Sequence, residues 1–184
     1  GEIFSGRALE FDGVTDYFQS NGGTALAGVN QFADGVPWTF ACWMYFDSSS
    51  TSTHHYFVGN DFTTHPMLIF QNQNNVNKLI FRADDTGKDY YLFPNGHGPS
   101  LSKMDQDTWH RLVVTTDGVS LTAYVNGVHG GDITDGQDST DASGTFSNTG
   151  MEFSGWGSPY QSGGVRSVPF KGMMSDGQVW DATW

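Results

Sequence analysis

Short runs of alternating apolar and polar residues, separated by turn residues, recur along the whole chain. A period of two is typical of β-strands, and no long run with the 3.6-residue helical period appears. The longest strand candidate is PWTFACWMYFD at 37–47, which is largely apolar on both faces. Such a strand is expected in the middle of a sheet. The pattern therefore predicts an all-β domain with this strand near its centre.

The stretch TWHRLVVTTDGVSLTAYVNGV at 108–128 predicts two strands joined at Asp117-Gly118, with a second tight turn at Asn126-Gly127. The Asp-Gly pair favours a type I′ turn. We interpret Trp109 as a core residue and His110 as a hydrogen-bonded structural histidine. MEFSGW at 151–156 predicts one strand, and the polar segment 132–149 has no strand pattern. About a dozen short strands predict a single domain over 1–184, a two-sheet antiparallel jelly-roll sandwich.

Four segments carry a resemblance to a known family, in the family's order: GRALEFDGVTDYFQ, PWTFACWMYF, TWHRLVVTTDGVSLTAYVNGV and FKGMMSDGQVWDATW. They resemble the laminin-G-like branch of the concanavalin A-like lectin/glucanase superfamily, including its pentraxin-like, bacterial and phage versions. The resemblance implies a jelly roll that binds ligands or calcium at its loop rim or concave face. It leaves the function open, because this fold hosts lectins, adhesin modules, virion surface modules and glucanases.

The charge and composition of the chain limit the classes of binding partner. The 184 residues carry a net charge of −12, and only 15% of them are charged. This balance argues against nucleic acid and anionic membranes, which need clusters of Lys and Arg, and fits calcium, cationic groups or neutral sugars. No apolar run is long enough to insert into a membrane. Cys42 is the single cysteine, so the disulfide of many laminin-G domains is absent. The abrupt ends predict a domain excised from a longer protein.

Catalytic signatures are weak. The glucanases of the resembling family use paired glutamates on one strand, whereas this chain has only the isolated Glu2, Glu10 and Glu152. No G-x-S-x-G motif occurs, and Cys42 lies in an apolar run that disfavours a thiolate. The sequence therefore predicts a protein that is not an enzyme and has no catalytic residues.

Two groups of aspartates are candidate calcium ligands, because calcium takes six to eight oxygen ligands. The first group is Asp132, Asp135, Asp138 and Asp141, spaced every three residues in GDITDGQDSTDASG. The second comprises Asp12 and Asp176, with Asp16, in turns beside strands that resemblance places near each other. The alternatives are a solvated acidic loop for the first group and turn aspartates bonded to their own backbone for the second.

Aromatic residues in polar loops are candidates for stacking on sugar rings. Trp156 and Tyr160 lie in the Gly/Ser-rich segment SGWGSPYQSGG, and Phe62 is a third loop aromatic. Asn60, Asp61 and Gln71 are candidates for a neighbouring rim. The alternative for Trp156 is that it caps the core.

Together these patterns predict a non-catalytic module that recognises a glycan or similar cell-surface ligand through its loop rim. We expect it to act outside the cytoplasm, on a cell or virion surface, in a bacterial adhesin or a phage structural protein. One alternative is a structural or decoration domain that packs against neighbouring subunits and holds no small ligand. A second alternative is a glycoside hydrolase or lyase.

Overall fold

The computed structural model describes residues 7–19, 31–33, 35–50, 54–59, 67–73, 76–82, 89–91, 106–134, 151–153, 155–157 and 170–181. All regular structure within these ranges is β, in fourteen strands. The described part of the chain accordingly holds no helix long and apolar enough to cross a membrane.

The first sheet has six antiparallel strands and contains both the first and the last strand of the described chain. In spatial order these are β1 (Leu9–Asp12), β14 (Lys171–Trp180), β4 (Trp38–Phe46), β9 (Trp109–Thr116), β10 (Ser120–Val125) and β11 (Val128–Thr134). β4 is internal, as predicted, between β14 and β9.

The second sheet also has six antiparallel strands. In spatial order these are β2 (Phe18–Gln19), β13 (Gly155–Trp156), β5 (His54–Gly59), β6 (Met67–Gln73), β7 (Val76–Arg82) and β8 (Asp89–Tyr91). A small two-stranded sheet pairs β12 (Met151–Glu152) with β3 (Gln31–Phe32). β1 and β2 are thus edge strands of the two large sheets.

The core lies between the two large sheets. On β4 every second side chain points inward, and all five of these are fully buried: Trp38, Phe40, Cys42, Met44 and Phe46. Phe57 of β5 faces them from the second sheet, with its ring centroid 6.4 Å from that of Phe40. The all-β, two-sheet antiparallel sandwich predicted from the alternation is confirmed.

The two predicted turns have different conformations. Asn126 and Gly127 both have positive φ, 53° and 79°, as a two-residue type I′ turn requires. At the other turn only Gly118 has positive φ, so the type I′ prediction for Asp117-Gly118 is wrong. The Asp117 carboxylate accepts hydrogen bonds from the N–H groups of Val119 and Ser120, at 2.8 and 2.7 Å. These bonds favour a longer loop with αL conformation at Gly118 alone.

Trp109 is not in the core. It lies half-buried on the outer face of the first sheet, with its ring centroid 5.7 Å from that of Tyr45. The buried face of β9 instead carries His110 together with Leu112. The Nδ1 atom of His110 lies 3.1 Å from Nδ2 of Asn126, which ties this histidine to the type I′ turn. Strand alternation separates the two faces of β9 but does not by itself say which one is buried.

Two further predictions about strands are corrected. The segment MEFSGW is not one strand, because β12 and β13 pair with different sheets. Asp132 does not lie in an irregular loop, because it pairs with Thr122 within β11. Backbone pairing at a sheet edge needs no apolar pattern on its side chains, so the polar composition concealed this strand.

Gly172 offers a test of this packing. Its φ is +146°, and a Cβ atom there would overlap the backbone carbonyl of Tyr45 on β4. Gly127 also has positive φ, but a Cβ there would meet nothing within 4 Å. Both Gly→Ala changes should therefore cost about 1–2 kcal/mol of unfolding free energy from backbone strain. Gly172→Ala should cost a further ~1–3 kcal/mol from overpacking. Urea unfolding measures both, and equal losses would refute the assigned register.

Candidate functional site

A pocket of about 300 Å³ opens where the edges of the two large sheets meet. β1 and β14 form one side of it, and β2 and β13 form the other. Six of the side chains that line it are Arg7, Leu9, Phe18, Trp156, Met174 and Asp176. The lining is therefore mainly apolar, with a few charged groups, which is the usual character of a small-ligand site.

Trp156 joins this pocket to the core. Its ring centroid lies 5.4 Å from that of Phe40, and its indole N–H donates to the Phe153 carbonyl at 3.1 Å. The far edge of the ring lies against Gly177 of β14, where a Cβ would come within 2.5 Å of the indole. Trp156 is half-buried, so it packs on the core and lines the pocket at the same time.

Asp176 lies at an irregularity in β14. The register of β14 against β4 shifts between Ser175 and Gln178, and Asp176 has a φ of 52° in the left-handed region. Its carboxylate accepts a hydrogen bond from the side-chain amide of Gln178. It also forms an ion pair with Arg111, at 3.3 Å from Oδ2 to the guanidinium. The bulge therefore directs a negatively charged, hydrogen-bonded group to the pocket rim.

Exposed apolar side chains surround the opening. Leu9 is 57% exposed and Phe18 is 54% exposed, although both line the pocket. Tyr17, next to Phe18 on the chain, is 49% exposed. Phe18 pairs in register with Trp156, so two aromatic side chains lie together on neighbouring strands. Such a concentration of exposed apolar surface at two adjacent sheet edges is typical of a binding surface.

The structure separates the two turn aspartates predicted to share a cation. Asp12 lies opposite Lys171 at one end of the β1–β14 pair, whereas Leu9 lies opposite Met174 at the other end. Asp176 follows Met174, so it lies roughly five residues, or about 16 Å, along the strand from the level of Asp12. One ion cannot bridge carboxylates that far apart, and the prediction of a shared site at Asp12 and Asp176 is wrong.

Asp12 instead organises the turn after β1. Its Oδ1 atom accepts hydrogen bonds from the backbone N–H groups of Val14, Thr15 and Asp16, at 2.7, 2.7 and 3.0 Å. The hydroxyl of Thr15 donates to Oδ2 at 2.8 Å. The donors at Asp16, Thr15 and Val14 hold the pKa of Asp12 well below its usual range. This geometry is that of an aspartate bonded to its own turn.

Seven other predicted site residues lie outside the described part of the chain: Asn60, Asp61, Phe62, Asp135, Asp138, Asp141 and Tyr160. Within the described ranges, no group of three His, Cys, Asp or Glu side chains lies close enough to hold a metal ion. Burial raises the pKa of the Cys42 thiol well above its usual range, so this cysteine stays protonated and inert.

Sequence reasoning missed several pocket residues. The sequence pattern places Leu9 and Phe18 in short strands, and nothing in a single sequence shows that both strands are sheet edges. The Asp176-Gly177 pair did give a signal, because Asp-Gly within a strand pattern is typical of a bulge or turn. The close approach of Trp156 to Gly177 is a contact distant in sequence and left no local pattern.

A family model matches nearly the whole chain, and this match identifies the family. A laminin-G-like family described as the concanavalin A-like lectin/glucanases superfamily matches residues 12–183. The chain belongs to this superfamily. This membership confirms the resemblance carried by the four sequence segments. No curated protein matches the chain.

Solved structures of this superfamily share the fold at low identity. The CBM40 of Ruminococcus gnavus IT-sialidase bound to α2,3-sialyllactose is 14% identical, with a TM-score of 0.61, covering 100% of this chain and 94% of that one. Domain 4 of AbnA, a GH43 extracellular arabinanase from Geobacillus stearothermophilus, in complex with arabinotriose, is 15% identical, with a TM-score of 0.51 and coverages of 85% and 64%. A proposed carbohydrate-binding protein of Bacteroides ovatus is 15% identical, with a TM-score of 0.58. The match covers 96% of this chain but 45% of that protein. At these identities the likeness concerns the fold alone.

The role of Asp12 gives a pH-dependent prediction. Its folded-state pKa is lowered from an ordinary value near 3.8, so its stabilising effect is complete above about pH 5 and is lost as the pH falls into the acid range. Asp12→Asn keeps one acceptor oxygen but removes the charge. The variant should therefore unfold at a lower urea concentration than the wild type at pH 7. The difference should shrink steadily toward pH 2, and a difference independent of pH would contradict this role.

Proposed function

We propose that this domain is a non-catalytic carbohydrate-binding module and that the pocket between the two sheet edges holds the sugar. The observation that supports this proposal best is the placement of Trp156 and Phe18 beside Asp176 and Arg7 in one pocket. Aromatic rings pack against the C–H faces of sugars, while carboxylates and guanidinium groups bond their hydroxyls. The pocket combines both kinds of group.

The size and charge of the pocket fit this ligand class. A volume of about 300 Å³ is at the lower end of the usual range for small-ligand sites, as expected for one or two sugar rings. Arg7 and Asp176 both line the pocket, so it offers a hydrogen-bond donor and an acceptor for sugar hydroxyls. Three similar folds add support, because their descriptions name carbohydrate binding, sialyllactose or arabinotriose.

The wider setting forms a further part of the proposal. A module of this kind would act outside the cytoplasm, on a cell or virion surface, within a larger adhesin or phage structural protein that supplies multivalency. Calcium held by Asp135, Asp138 and Asp141 would strengthen ligand binding at the rim, because carboxylate-rich loops suit its oxygen coordination.

A second candidate function rests on the exposure of Leu9, Tyr17 and Phe18 on adjacent sheet edges. The same side chains would suit a structural domain whose edge packs against a neighbouring subunit. The two functions differ in their ligand: the first predicts saturable binding of free oligosaccharides, and the second predicts none.

The binding test uses a glycan array printed with mono- to hexasaccharides of glucans, xylans, arabinans and sialylated galactosides. We expect the wild type to bind at least one series, and Phe18→Ala to weaken that binding roughly threefold to tenfold through loss of ring packing. Val119→Ala is the control, because Val119 is 53% exposed but lies in the β9–β10 turn and does not line the pocket. Equal affinity of the Phe18 variant and wild type would exclude this pocket as the site.

Parallel arrays in calcium and in EDTA test the contribution of calcium. We expect the domain to bind glycans more weakly in EDTA, and added calcium to restore the binding. Absence of binding to every glycan, in either buffer, would contradict the proposed function and favour the structural alternative.

A further inference from the structure

The outer face of the first sheet carries a band of half-buried aromatic side chains next to the pocket. Trp43 and Tyr45 alternate with buried residues on β4, and Trp109 lies opposite Tyr45 on β9. Arg111 lies opposite Trp43, and its guanidinium carbon is 6.0 Å from the centre of the Trp43 ring. A guanidinium over a tryptophan face is held there by cation–π attraction.

Arg111 is fixed in place but uses few of its donors. Its side chain is only 25% exposed, and a single nitrogen, Nη1, contacts Asp176, at 3.3 Å from Oδ2 and 3.5 Å from the carbonyl oxygen. A guanidinium has five N–H donors in a rigid plane. The guanidinium makes no other hydrogen bond within the described part of the chain, so several donors are available at a restrained position.

Asp176 connects this arginine to the pocket. The same residue lines the pocket and forms the ion pair with Arg111, so the two lie on either side of one carboxylate. The surface between the pocket and Arg111 runs across three neighbouring strands, β14, β4 and β9. Ser175 on β14 pairs with Trp43 on β4, and Trp43 pairs with Arg111 on β9. Two strand spacings separate the backbones of Asp176 and Arg111 by about 10 Å, and the Arg111 side chain reaches across this gap to within 3.3 Å of the Asp176 carboxylate. A sugar ring that reaches Asp176 from the pocket therefore leaves the Arg111 donors to the next ring.

We propose that Arg111 is the centre of a second sugar subsite, and that a glycan held in the pocket extends over Asp176 onto the Arg111–Trp43 pair. This inference rests on the proposed carbohydrate-binding function and adds a length requirement to it. One sugar occupies the pocket, and the next one accepts hydrogen bonds from Arg111. The domain then binds oligosaccharides more tightly than the corresponding monosaccharide.

The test compares the wild type with Arg111→Met across the graded array, which measures affinity against chain length. Methionine keeps an apolar stem over Trp43 and removes all the guanidinium donors. The wild type should gain roughly tenfold in affinity from the monosaccharide to the trisaccharide, the equivalent of one or two hydrogen bonds. Arg111→Met should lose most of that gain, so that its affinity for the trisaccharide approaches its own affinity for the monosaccharide. Val119→Ala should match the wild type at every length.

A spectroscopic measurement checks contact independently of affinity. In ¹⁵N-labelled protein, the indole resonance of Trp43 should shift on titration with the trisaccharide that binds best, and not with its monosaccharide. Affinity that is independent of length, or an unshifted Trp43 resonance, would overturn the second subsite and leave the pocket proposal standing. Equal weakening of mono- and trisaccharide binding by Arg111→Met would assign Arg111 to positioning Asp176 and overturn direct contact. If no glycan of any length binds, the proposed function fails and the second subsite fails with it.

Discussion

The bulge in β14 at Asp176 and Gly177 is the constraint on which the candidate site depends. β14 pairs with β4 along most of its length, with a register shift between Ser175 and Gln178, and a Cβ atom at Gly177 would come within 2.5 Å of the Trp156 ring. Gly177 leaves room for the indole edge, and the extra residue turns Asp176 into the left-handed region. The Asp176-Gly177 pair therefore does two things: the missing side chain of Gly177 lets Trp156 approach β14, and Asp176 links the pocket lining to Arg111.

The hydrophobic core holds Trp156 in position at the pocket. Phe40 on the central strand stacks on Phe153, with centroids 5.5 Å apart and planes 14° apart, and it also packs against Trp156. Trp38 also contacts Phe153, edge-on, with ring centroids 5.3 Å apart. This aromatic cluster fixes the position of β13 against the first sheet. The wall of the pocket is therefore an extension of the hydrophobic core, and the proposed binding there would require little rearrangement of Trp156.

The fold follows from local pattern more completely than the site does. The apolar character of both faces predicted that β4 lies inside a sheet, and Asn126-Gly127 predicted a two-residue turn, because both signals depend on neighbouring residues only. Trp109 shows the limit of local pattern. The alternation of β9 shows which side chains share a face, but the burial of each face depends on which one meets the second sheet. Trp156 was identified from its polar surroundings, whereas its partners Phe18 and Gly177 lie far away in sequence. Pairing between distant strands, which creates the pocket, leaves no signature in a single chain.

A crystal structure of the domain with the best-binding array glycan would show directly whether the pocket holds the sugar. We expect a sugar ring in the pocket, in contact with Phe18 and Trp156 and hydrogen-bonded to Asp176. A sugar bound elsewhere, with the space between β1, β2, β13 and β14 unoccupied, would contradict it.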